Sequence, residues 1–292
     1  MSARTLITTL LCLPATALPR PPVYVNEVDG SFLSISYLDY QSSDLDSNAG
    51  EIGGERSLFD AQYQGGEASW RAGLGHEYDA LDIQLAAAEP QANGDLHTLH
   101  LTGVLEVPMQ SGPVTLTLAP AISTSSNAMK DLGEWTSDTL QVWAAALWQP
   151  RGKHWDWVLG VAHDYRWGES RVYPVAGITG TYRQLSYRAT WPDLSVAWDI
   201  DERWLLEFDL SPDGNEWYAF DRDLGSGDEF RREAWQGDLR ISYQAFGGLR
   251  LGVSAGYQFD QEWRIRLRDG ELLRVEGDGV GVVGVHVGWF WR

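Results

Sequence analysis

Hydrophobic and polar residues alternate along most of this chain, most regularly from Gly281 to Trp291. Val283, Val285, Val287, Trp289 and Trp291 fall on one face, and Gly284, His286 and Gly288 on the other. A period of two is that of a β-strand. Large apolar groups on one side, small or polar groups on the other and aromatics at the end predict a strand of a transmembrane β-barrel with its apolar face outward.

The same period recurs through the chain. It predicts strands near 31–41, 55–65, 67–79, 95–107, 113–123, 138–149, 154–167, 171–181, 184–191, 193–200, 203–220, 232–245, 249–268 and 271–291. That is an all-β, antiparallel up-and-down barrel of roughly fourteen strands, an even number as closure with both termini on one side requires. Twelve is the alternative, if 184–200 is one bent strand with Pro192 at a bulge. No segment shows helical periodicity, and there is no internal repeat. Tight turns are expected at Gly65-Gly66-Glu67, Arg151-Gly152-Lys153, Asp201-Glu202 and Gly247-Gly248. Longer acidic loops are expected at Gln41–Glu55, Asp79–Asp95 and Ser123–Ser137. The last hairpin is expected to turn at Arg268-Asp269-Gly270-Glu271 and to project beyond the bilayer.

Strand 154–167 shows how the faces divide. Trp155, Trp157, Leu159, Val161, His163, Tyr165 and Trp167 share one face, with aromatics bracketing an aliphatic centre. Rings that are apolar but carry an N–H or O–H suit the two membrane interfaces. From Trp157 to Tyr165, at ~3.3 Å per residue and a ~40° tilt, the strand covers roughly 20 Å of bilayer depth. Strands 235–243 and 249–259 repeat the scheme, and none of the three apolar faces carries Asp, Glu, Lys or Arg. A soluble sandwich with the apolar face turned to a core gives the same alternation. The paired aromatic ends and the glycines of the polar face favour the membrane.

Composition narrows the partners. The 292 residues carry a formal charge of -19, which argues against nucleic acid as a broad partner. Residues 1–17 read as a signal peptide: Arg4 precedes an apolar stretch from Leu6 to Leu13, and Ala15-Thr16-Ala17 is a small-x-small cleavage pattern. Residues 18–30, with Pro19, Pro21 and Pro22, read as a periplasmic tether, leaving 31–291 as a single barrel domain. The one cysteine, Cys12, lies in the signal peptide, so the mature chain is expected to lack disulfides and thiol chemistry.

The histidines and the charged residues of the polar faces are the candidates for chemistry. His76 and His163 are expected outward near the outer rim, as girdle residues or as the base of a lipid-facing hydrolase. His286 is expected to face the lumen. The lumen is also expected to hold Arg71, Glu77, Asp156, Asp164, Arg166, Arg188, Asp199, Arg203, Glu207, Asp209, Asp238, Arg240 and Arg250. Both signs are present, so pairing across the walls is expected. The clusters Asp44/Asp46/Glu51 and Asp221/Asp223/Asp228/Glu229 match no calcium-loop spacing and read as solvated loops. There is no His-Glu-x-x-His and no phosphate loop, and His286 is followed by Val287-Gly288 where a His-x-Ser pair would need serine. No catalytic, cofactor or metal residue is assigned.

From Asp164 onward the chain resembles a family of predicted outer-membrane β-barrels of Gram-negative bacteria known only as a domain of unknown function. The residues concerned are Asp164-Tyr165-Arg166-Trp167-Gly168, Tyr173-Pro174-Val175-Ala176-Gly177 and Trp191-Pro192-Asp193-Leu194-Ser195. Asp201-Glu202-Arg203-Trp204, Pro212-Asp213-Gly214-Asn215, Phe230-Arg231-Arg232-Glu233-Ala234-Trp235 and Gln258-Phe259-Asp260 follow. The resemblance implies a barrel and a bacterial outer-membrane location, and brings no catalytic residue with it. The chain departs from the usual aromatic end of such proteins by adding Arg292. The expected role is a narrow passive channel or surface scaffold, monomeric and without cofactor. Its expected partners are outer-membrane lipid and lipopolysaccharide, the barrel-assembly machinery and small solutes. The alternatives are a lipid-modifying barrel enzyme and a soluble, secreted glycan-binding β-protein.

Overall fold

A computed structural model describes residues 31–47, 50–67, 69–85, 94–130, 139–221, 226–266 and 272–291. The expected signal peptide, the tether, Cys12 and the Arg268–Glu271 turn lie outside the described residues.

The first strands are β1 (Ser31–Ser47), β2 (Gly50–Glu67), β3 (Trp70–Leu85), β4 (Gly94–Val107) and β5 (Val114–Ser125). A short helix, α1 (Ser126–Lys130), follows. Then come β6 (Leu140–Trp148), β7 (Asp156–Asp164), β8 (Arg171–Tyr182), β9 (Leu185–Trp191), β10 (Leu194–Asp199) and β11 (Trp204–Pro212). The last are β12 (Asn215–Asp221), β13 (Ser226–Gln244), β14 (Leu249–Arg266), β15 (Leu272–Gly277) and β16 (Val280–Trp291).

Fourteen of these close one antiparallel barrel: β1 to β11, then β13, β14 and β16. The last strand pairs back on the first, from Ser31↔Trp291 to Tyr40↔Val282. The twelve-strand alternative is set aside because Trp191, a cis bond to Pro192 and Asp193 turn the chain back, so that Leu194 pairs with Ala189.

The faces are those of a membrane barrel. Val253, Val285 and Trp289 point outward and are 55%, 54% and 42% exposed, whereas Asp238, Arg240 and Ser242 point inward and are buried. An apolar exterior around a polar interior is the reverse of a soluble sandwich, which overturns the secreted glycan-binding alternative. Trp70, Trp148, Trp157, Tyr182, Trp198, Trp204 and Trp289 ring the end that carries both termini. At the far, distal end the outward aromatics are Phe59, Tyr78, Trp191, Trp235, Tyr257 and Phe259. Beyond them the outer face turns ionic. Glu262 pairs with Arg274 at 2.7 Å, and Arg231 pairs with Glu216 at 2.9 Å. The change is abrupt on β14, between Phe259 and Glu262, and marks where lipid gives way to water.

The barrel also narrows distally. Strands β6 to β10 stop short, and β11 continues through Pro212-Asp213-Gly214 into β12, which pairs with β13 and reaches β5 at Tyr218↔Thr124. On the opposite side β15 replaces β16 beside β1. The distal ring therefore runs β1 to β5, then β12 to β15 and back to β1, nine strands above fourteen. An odd ring of alternating strands must contain one parallel neighbour pair, and the β5–β12 contact is parallel. Two glycines let the segments cross. A Cβ on Gly214 would stand 2.3 Å from the Arg232 carbonyl oxygen and 2.6 Å from that of Arg166, while Gly168 adopts a φ of +72°.

Several expectations are corrected. α1 is a helix where none was expected; five residues are too few for a period to show. Residues 41–55 form the paired tops of β1 and β2 up to Ser47↔Gly50, not a loop. Gly65, Gly66 and Glu67 belong to β2, paired with β3. Trp167 does not face outward. The chain leaves β7 at Asp164, and the Trp167 ring is buried between the inward Tyr173 and the outward Trp191 and Trp235.

Candidate functional site

The inner wall is where the sequence concentrates its charge, and the inward placement holds almost throughout. Arg71, Glu77, Asp164, Arg166, Arg188, Glu207, Asp209, Asp238 and Arg240 are buried inside the barrel, and Asp156, Asp199 and Arg250 are half-buried there. Arg203 is the exception. It lies exposed on the β10–β11 turn, its backbone N–H donating to Asp201 and its guanidinium reaching the Tyr243 hydroxyl at 3.2 Å.

At the distal level these groups form a bar across the lumen centred on Asp213, a residue the parity of the strands did not single out. Asp213 Oδ2 accepts from Arg232 Nη1 at 2.8 Å and from Gln258 Nε2 at 2.6 Å, and lies 3.5 Å from Arg56 Nη1. Arg56 comes from the far wall, where its Nε donates to Asp79 at 2.7 Å and its guanidinium stacks 4.1 Å over the Tyr40 ring. Tyr40 donates in turn to Gln236 Oε1, and Gln236 donates to Asp238. Walls β1, β2 and β3 are thereby tied to β13 and β14 through the β11–β12 corner.

The inner face of β12 completes the closure. Asn215 Nδ2 donates to Thr98 and Ser123, and Trp217 Nε1 donates to Thr98 Oγ1. Asn215, Trp217, Arg232 and Gln258 are at most 1% exposed. Carboxylates and guanidiniums taken out of water are costly unless paired; several walls supply partners, while Arg56 Nη2 and Arg232 Nε and Nη2 make no hydrogen bond among the described residues.

A second buried cluster seals the tops of the short strands. Arg166 donates to Asp164 at 2.9 Å, to Asp193 at 2.6 Å and to the Tyr173 hydroxyl at 2.7 Å, and Tyr173 donates to Asp164. Toward the terminal end the wall is mixed: the inward Thr102, Glu106, Thr179, Asp199 and Arg250 are half-buried, whereas Phe32, Arg71, Val104, Leu147, Leu205 and Ser242 are buried. His286 sits between the two regions, bonded to Ser254 at 2.8 Å and Ser36 at 3.0 Å.

Two histidines lie outward as expected. His163 bonds Ser170 at 2.8 Å. His76 bonds the ring of His97 at 3.2 Å, and His97 bonds Ser126 at 2.7 Å. Neither His97 nor Ser126 stood out in the sequence. They are 29 residues apart, and only α1 brings the serine beside β4. The side chains of Asp44, Asp46, Glu51, Asp221, Asp223 and Asp228 lie outside the described residues. Among the described residues no cluster of His, Cys, Asp and Glu could hold a metal ion.

No family model and no curated protein matches the chain, so the resemblance read in its C-terminal half stands without a match. Solved outer-membrane barrels are similar in fold. An outer membrane channel from Pseudomonas putida F1 covers 90% of this chain and 96% of its own, at 8% identity and a TM-score of 0.46. The translocator domain of the autotransporter NalP from Neisseria meningitidis covers 92% and 91%, at 9% identity and 0.42. The toluene transporter TodX of P. putida covers 91% of each chain, at 9% identity and 0.41.

Proposed function

We propose that this chain is a narrow solute channel of the bacterial outer membrane, closed at rest by the Asp213 bar. The observation that carries the reading is the inner wall. Charged and polar side chains of both signs line it from the half-buried Arg250, Asp199 and Glu106 near the terminal end up to Asp213, where one hydrogen-bonded layer interrupts it. A purely structural barrel has no need of so many charges on its inner wall, because apolar packing fills an interior at less cost than paired buried charges. A mixed-sign wall suits small polar solutes better than one class of ion.

Single-channel recording of the full chain in planar bilayers tests this. The wild type is expected to show rare, small steps, and Asp213→Ala larger and more frequent ones, because Arg56 and Arg232 lose their common acceptor. Heat-modifiable gel mobility verifies that each variant is folded. Silence from folded wild type and folded Asp213→Ala alike would sink the channel and leave a structural barrel.

A further inference from the structure

On the outer surface, at the distal edge of the apolar belt, three side chains from three elements form a hydrogen-bonded chain. Ser126 Oγ lies 2.7 Å from His97 Nε2, and His97 Nδ1 lies 3.2 Å from His76 Nε2. The serine opens α1, the two histidines sit on β4 and β3, and Tyr78 stacks on His97 at 4.9 Å while its hydroxyl donates to Asp95. We infer that Ser126, His97 and His76 form a serine-esterase site directed at acyl esters of membrane lipids.

The site uses one of the two tautomers that the distances allow. With Nδ1–H donating to His76 Nε2, His97 keeps an unprotonated Nε2 facing the Ser126 hydroxyl. That is the arrangement of nucleophile, base and orienting group that acyl transfer requires. The hydroxyl is not committed to the helix cap, since the backbone N–H of Ala128 bonds Ser125 Oγ instead. All three residues are half-buried, neither sealed nor fully solvated. The position selects the substrate. Leu99, Leu101 and Leu118 lie below on the outward face, where acyl chains run. Lys130, exposed on the same helix and close enough to act electrostatically on His97, offers a cation to a phosphorylated headgroup.

Chemically, the Ser126 Oγ–H proton passes to His97 Nε2 as Oγ bonds to the ester carbonyl carbon. The carbon–oxygen bond to the leaving alcohol then breaks, and that oxygen takes the proton from His97. Water attacks the acyl-serine, gives a proton to His97 and releases the fatty acid, and the serine recovers its proton. The sum is ester plus water to acid plus alcohol. His76 does not touch the substrate; it is a positioning residue that fixes the His97 tautomer. Beside the other outward pair, His163 and Ser170, the neighbouring ring is Tyr165, edge-on at 5.8 Å, and the Ser170 hydroxyl is shared with it.

The test uses the full chain refolded in two vesicle preparations, one of phosphatidylethanolamine and one containing lipopolysaccharide. Fatty-acid release and labelling by a fluorophosphonate probe are followed in both. Release in either, with the label mapped to Ser126, is the expected result, and the preparation that reacts identifies the lipid. Ser126→Ala and His97→Ala are expected to lose at least ~10³-fold in rate and the label with it. His76→Ala should lose less, and His76→Gln should recover part of that loss by placing an acceptor oxygen at the same reach. Ser170→Ala should retain activity. Absence of both label and release from folded wild type would overturn the inference. So would release unchanged by Ser126→Ala. Neither outcome depends on whether the lumen conducts.

Discussion

Asp213 and Glu216 stand three residues apart at the β11–β12 corner and meet opposite environments. Asp213 turns inward and accepts hydrogen bonds from Arg232 and Gln258, with Arg56 3.5 Å away. Glu216 turns outward onto the charged distal collar beside Glu229 and Arg231, and burial, reinforced by hydrogen bonding to Glu229, pushes its carboxyl up to about 7. The folded collar thus holds a proton that the unfolded chain releases near the ordinary glutamate range. Its stabilising effect is complete below about pH 4.5 and fades as pH rises through about 7. Once the intrinsic base-catalysed rate is divided out, protection of the β12 and β13 amides should be lower at pH 8 than at pH 5, by about 1 kcal/mol of opening free energy after solvent screening. Glu216→Gln should flatten that dependence, and an unchanged profile would disprove it. At this scale strand parity made the inner and outer faces legible from Arg71 to His286. It failed where the chain leaves the ladder: Arg203 on a turn, Trp167 past the end of β7, and Asp213 at a corner with no parity to read.

At the level of elements, the decisive event is the swing of β12 across the tops of five shorter strands. The sequence marked Pro212-Asp213-Gly214 within a continuous strand near 203–220, because hydropathy alternates on both sides of the break. Its cause lies in a close approach that hydropathy does not encode. Gly214 lies between the Arg166 and Arg232 backbones, with Gly168 beside it. Gly214→Ala inserts a Cβ against two carbonyl oxygens, and overpacking of this kind costs ~1–3 kcal/mol. The variant is expected to lose protection selectively in β12 and in the 164–171 loop while the lower fourteen-strand ring keeps its exchange rates. Uniform loss through the barrel would show that collar and base are one cooperative unit. Strand number, by contrast, was legible, since each lower strand spans the belt and must alternate there.

For the molecule as a whole, the outward belt defines a membrane depth, and substitution should respect it. Val253 lies mid-belt on β14, between Leu251 below and Tyr257 above. Val253→Arg should reduce the free energy of unfolding from a lipid bilayer by ~2–4 kcal/mol in a urea titration. A cost near zero would place Val253 outside the hydrocarbon. The two-tier shape was the part least open to sequence reading, since it depends on which distant strands meet above the belt. Closure also decides how the molecule treats its neighbours. The lower ring leaves no edge strand, but among the described residues the β5–β12 ladder of the collar has one residue pair, supported by the Thr124 hydroxyl donating to the Tyr218 carbonyl and by Asn215 donating to Ser123. Along that seam the ladder is nearly unmade, and α1 lies against both strands. Exposed ladder edges recruit foreign strands and seed aggregation. The short helix therefore works as a guard over the place where another polypeptide would find backbone to pair with.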